Sequence, residues 1–206
     1  QCSPAQTVQI MTAIIAMEKA PTLESIVEVP ANIQNEFEKY RQTYPSDEYP
    51  YNEVTLAYIE EGEQLKVEHL ISAMLLQSSC EAALARAYNG GEGSVQNFVN
   101  MMNEKAKEIG AVNTHFANPH GLYDESQHTT PRDMLLITEY ALNLPGFAEL
   151  SSNLTYSTGG TNFHSEGLSF KNVNFMMDPN SEYYFKGTKG IKTGNSNQSG
   201  RCLVAR

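Results

Sequence analysis

The sequence predicts an α+β fold on three observations: helical hydrophobic spacing through its middle, a change of texture from Asn153 onward, and a strand, turn, strand pattern at its end. Ile10, Ile14 and Met17, flanked by Met11 and Ile15, make a first helix that is apolar almost all round and is closed by Lys19 and Pro21. Such a helix belongs inside a domain. Ile26 to Val29 reads as a short strand, and Asn32 to Asn52, polar and rich in tyrosine, as a long surface excursion.

Val67 to Leu76 carries Leu70, Ile71, Met74 and Leu75 at helical spacing; Gln77-Ser78-Ser79 interrupts, and Cys80 to Tyr88 resumes a small-residue helix that Asn89-Gly90-Gly91 ends. Two helices therefore meet at Ser78. Ser94 caps a further helix that Gly110 terminates, and Thr130-Pro131-Arg132-Asp133 has the cap, first-turn proline and acidic third position of another helix start. Beyond Asn153 the texture turns to Gly, Ser, Thr and Asn with alternating aromatics. There "YYFKGTKGIKTG" and "GRCLVAR" read as two strands of an antiparallel hairpin joined by a Gly/Asn-rich turn. No repeat or linker divides the chain, so residues 1–206 are expected to form one domain.

With Lys+Arg 14 and Asp+Glu 24 the net charge is −10 and the basic residues are scattered, which leaves no electrostatic footprint for nucleic acid. No membrane anchor is visible in the sequence. Cys2, Cys80 and Cys202 make an odd set without metal-ligand spacing, and the histidines, His120 of an Asn-Pro-His-Gly turn among them, are likewise not spaced as ligands. Neither a metal nor a cofactor is expected.

Lys192-Thr193-Gly194 brings a cation, a hydroxyl and a bare backbone to one end of a predicted strand, a combination suited to a peptide carboxylate laid along the strand edge. Its companions, in order, are "LLQSSCEAA" from Leu75, "NEKAKEIGAVNTHFANPHGL" from Asn103, "TTPRDM" from Thr129 and "GIKTGNSNQSGRCLVA" from Gly190. Together they closely resemble the serine D-alanyl-D-alanine carboxypeptidases, the low-molecular-weight penicillin-binding proteins of the β-lactamase-like superfamily. The resemblance runs from about Pro4 to Arg206, the Tyr-rich stretch apart.

It implies a β-lactamase/transpeptidase-like fold, with a helical cluster packed on an antiparallel sheet. Because the family carries strands before its first helix and after its last motif, some terminal strands are expected to lie outside this chain. It also implies three elements of a site: Ser-x-x-Lys at a helix start, Ser-x-Asn between two helices, and Lys-Thr-Gly on a strand. The third is intact as Lys192, Thr193 and Gly194. The second falls on Ser78-Ser79-Cys80, so its serine is kept and its asparagine is replaced by Cys80, which lacks a strong amide donor and acceptor and weakens substrate alignment. The first falls on Gln6-Thr7-Val8-Gln9, placing Gln6 at the nucleophile position and Gln9 at that of the lysine base.

A carboxamide neither attacks an amide nor takes a proton, and losing a nucleophile alone costs roughly 10⁶-fold in turnover. The expected function is thus a family member disabled in catalysis that binds peptidoglycan stem peptides ending in D-Ala-D-Ala, and β-lactams without a covalent bond, outside the cytoplasmic membrane. Two alternatives stay open: an active serine carboxypeptidase with Ser78 as substitute nucleophile, and a structural domain without a ligand. Blander readings of single residues stand beside these. Gln6 and Gln9 could belong to a solvated first turn, Ser78 could be a plain helix cap, and Lys192 could guard an exposed strand edge. Cys80 could replace the nucleophile, and the tyrosines between Tyr40 and Tyr51 could stack on sugar rings.

Overall fold

A computed structural model describes residues 1–31, 33–45, 48 and 54–206. After a short 3₁₀ turn at Ala5–Val8 comes helix α1, Gln9–Lys19. Its residues from Gln9 to Ala16 are all buried, as expected of a helix with apolar residues on every side. Around it stand α3 (Val67–Gln77), α4 (Cys80–Gly90), α5 (Val95–Ile109) and α6 (Pro131–Leu142), with the short α7 (Phe147–Ser152) against α3. Their inner faces join one contiguous apolar cluster that includes Ile14, Leu70, Met74, Phe98, Ile137 and Phe147. The helix starts follow the expected chemistry, since Ser94 accepts from the Asn97 N–H and Thr130 from the Asp133 N–H.

The strands form antiparallel pairs: β1 (Ile26–Glu28) with β2 (Gln64–Lys66), β3 (Thr155–Ser157) with β4 (Ser169–Lys171), and β5 (Lys192–Ser196) with β6 (Gly200–Val204). In the last pair Lys192 stands opposite Val204 and Gly194 opposite Cys202. This hairpin is the expected one, but β5 begins at Lys192, later than the sequence suggested. Residues 183–190 make turns instead, because glycines at 187 and 190 adopt positive φ and end any strand there.

The expected surface excursion is corrected. Ile33–Thr43 is a helix, α2, whose buried Ile33 and Phe37 lie one turn apart and dock it on the body. Tyr40 continues that face, packing on Tyr44 and accepting from the Tyr123 N–H at 3.3 Å. Tyr49 and Tyr51, at the far end of the tyrosine-rich stretch, lie outside the described residues. No helix among the described residues is long and apolar enough to cross a membrane.

Candidate functional site

Four segments converge where α1 begins: the 3₁₀ turn, the α3–α4 junction, the loop 117–122 and strand β5. The junction is sharp because Ser78 takes a left-handed backbone (φ 63°, ψ 28°) and ends α3 there. Ser79, not Ser78, caps the next helix, its hydroxyl accepting from the Ala82 N–H at 3.1 Å. Division of labour between the two serines leaves the Ser78 hydroxyl free for another partner. Glu81 braces the same turn, its carboxylate accepting from the Ala57 N–H at 2.6 Å and the Ser79 hydroxyl at 3.1 Å.

Lys192 is buried, and its Nζ donates to Ser78 Oγ and, at 2.7 Å, to the Thr193 carbonyl. Loss of hydration pushes its pKa down to about 7, so near neutrality it is part ammonium and part free amine. It is therefore no exposed edge lysine. Gly194 follows, tight against the 3₁₀ turn: a Cβ there would stand 2.9 Å from the Gln6 nitrogen and 3.1 Å from the Ala5 Cβ.

Gln6 and Gln9 are both buried, which removes the solvated-turn reading. The Gln6 carboxamide oxygen accepts from the Asn195 N–H at 2.8 Å, tying the turn to β5. Gln9 Nε2 donates to the Ser78 carbonyl at 3.2 Å and to the His120 carbonyl at 3.0 Å, while its Oε1 has no hydrogen-bond partner among the described residues. Each glutamine thus spans two segments of the site.

The Asn-Pro-His-Gly turn, whose residues signal only a turn in the sequence, walls the site. Asn118 closes it by accepting from the Gly121 N–H at 2.8 Å, and Thr12 anchors it by donating to the Pro119 carbonyl at 2.6 Å. Gly121 (φ +86°) lies so close to the 3₁₀ turn that a Cβ would fall 2.3 Å from the Ala5 carbonyl oxygen. His120 is packed edge-on against Phe37, and burial pushes its pKa down to about 3, so its ring is neutral. The signal that could have found this wall is the glycine: Pro-His-Gly needs a left-handed residue, and glycine permits close backbone approach.

A family model described as D-alanyl-D-alanine carboxypeptidase matches residues 1–206. The chain belongs to that family. Among relatives of the carboxypeptidase family, the chain is 27% identical to a D-alanyl-D-alanine carboxypeptidase of Streptomyces sp. strain K15, over 98% of this chain and 67% of that protein. It is 32% identical to DacA of Escherichia coli strain K12, over 73% of this chain and 35% of that protein, and 28% identical to DacF of Bacillus subtilis, over 72% and 36%. These alignments span about a third of the length of the Escherichia and Bacillus relatives. The crystal structure of the Streptomyces K15 DD-transpeptidase superposes with a TM-score of 0.81 at 26% identity, covering 99% of this chain and 75% of that one. The α+β, transpeptidase-like fold class is therefore the observed one.

Solved variants of the Streptomyces enzyme replace a serine and a cysteine two positions after it. Ser78 and Cys80 have the same spacing here. Cys80 is buried, its thiol 3.9 Å from the Ser78 carbonyl, and desolvation pushes its pKa up to about 12. A thiol held so firmly protonated is a poor nucleophile. Among the described residues no group of three His, Cys, Asp or Glu side chains could hold a metal ion.

Proposed function

We propose that this carboxypeptidase-family chain, acting as one domain, recognises peptidoglycan stem peptides ending in D-Ala-D-Ala outside the cytoplasmic membrane and does not hydrolyse them. The supporting observation is that Gln6 and Gln9 stand together at the convergence of all four segments, buried and hydrogen-bonded to neighbouring segments. Neither can attack an amide carbon or accept a proton from a nucleophile. What remains suits binding. Lys192, in its ammonium form, and Thr193 would supply a cation and a hydroxyl for a terminal carboxylate, Gly194 lets a ligand backbone approach, and Ser78 offers a hydroxyl beside them. β-Lactams, as mimics of the same dipeptide, would bind there without a covalent bond.

Calorimetric titration with an acetylated tripeptide ending in D-Ala-D-Ala tests this reading. Saturable binding is expected, with a loss of more than about tenfold in Lys192→Ala. Absence of saturable binding would leave the domain a structural one.

The contact between Lys192 and Ser78 favours a second reading, in which Ser78 attacks the substrate carbonyl and the Lys192 amine takes its proton. Release of D-alanine by the wild type, lost in Ser78→Ala, would establish it.

A further inference from the structure

Strand β5 has one edge paired with β6, and the other faces the 3₁₀ turn. In an antiparallel strand successive N–H groups point to alternate edges, so an extended ligand on the free side has few donors available to it. The Asn195 N–H is one, and it donates to the side chain of Gln6 at 2.8 Å. The acceptor is a planar amide oxygen, the same chemical group that a peptide ligand would present.

The backbone beneath this contact is held on several sides, whereas the side chain is not. Thr7 Oγ1 donates to the Pro4 carbonyl at 2.6 Å, and Gly121 and Gly194 press on Ala5 and Gln6. The turn is fixed. Among the described residues the Gln6 carboxamide oxygen has one hydrogen bond, from the Asn195 N–H, and rotation about the side chain's own torsions would release it.

We propose that Gln6 is an internal competitor: its carboxamide oxygen holds the Asn195 N–H that a ligand carbonyl would take, so a peptide must displace this side chain before lying along β5. The inference rests on the stem-peptide reading above and adds what sets the affinity of that site. Gln9 has no such part: its amide nitrogen bonds to the Ser78 and His120 carbonyls and, among the described residues, makes no hydrogen bond to β5.

Two variants test it. Gln6→Ala removes both oxygen and bulk; Gln6→Met keeps the bulk and removes the oxygen, which also covers the case in which the alanine variant folds poorly. In the ligand-free protein, exchange of the Asn195 amide hydrogen, followed by NMR, is expected to speed up in both. Gln6→Ala is expected to bind the acetylated D-Ala-D-Ala tripeptide roughly fivefold more tightly, the worth of one neutral hydrogen bond no longer broken. Unchanged exchange at Asn195 would overturn the proposal, as would saturable binding of equal strength in wild type and Gln6→Ala. No saturable binding in any of the proteins would instead contradict the stem-peptide reading, and this inference with it.

Discussion

Lys192 donates from a buried position to the hydroxyl of Ser78, joining the start of β5 to the α3–α4 junction. Burial pushes the Lys192 pKa down to about 7, far below its usual 10.5. Between these values the unfolded chain holds a proton that the folded chain has released, so Lys192 makes stability rise with pH across that window and adds no slope below it. Lys192→Met should abolish this component. Urea unfolding below and well above neutrality checks it: the stability of wild type relative to Lys192→Met should grow with pH, and a constant gap would mean that Lys192 keeps its ammonium in the fold.

Gln9 is predicted to hold two segments of the fold together. Its Nε2 ties the Ser78 carbonyl to the His120 carbonyl. Gln9→Leu removes both bonds together with the unpartnered Oε1 and should cost about 1–3 kcal/mol in urea unfolding.

Two glycines test the close approach of the segments. Gly194→Ala puts a Cβ 2.9 Å from the Gln6 nitrogen and should destabilise by about 1–3 kcal/mol. Gly121→Ala should cost more, since its Cβ would meet backbone at 2.3 Å and its φ of +86° adds a left-handed penalty of roughly 1–2 kcal/mol. Thermal midpoints in that order would bear the packing out; equal midpoints would not.

The three free thiols should react with a disulfide reagent in a fixed sequence. Cys2 is exposed and should react at once, half-buried Cys202 more slowly because burial raises its pKa, and Cys80 only on unfolding. Labelling of Cys80 in the native protein would show that the α3–α4 junction opens.

Much of this was legible in the sequence. Ser94 and Thr130-Pro131 mark helix starts through local chemistry that needs no tertiary partner, and the order of the motifs brings Gln6, Gln9, Ser78 and Lys192 to one place. α2 was hidden because its apolar residues are sparse: Ile33 and Phe37 hold a face within an otherwise charged segment, so composition masked the period. The His120 wall and the Asn195 contact were hidden for a different reason. Both act through backbone groups, a carbonyl and an N–H, which every residue type carries and no side-chain pattern announces. Ser79 rather than Ser78 as the cap follows from the left-handed turn at Ser78, a feature serine does not signal.

The most direct measurement is the intact mass of the wild-type protein after incubation with excess benzylpenicillin. With carboxamides at positions 6 and 9 and the thiol of Cys80 held protonated, the mass should stay that of the unmodified chain. A stoichiometric penicilloyl adduct would show a working nucleophile in the site and contradict the account.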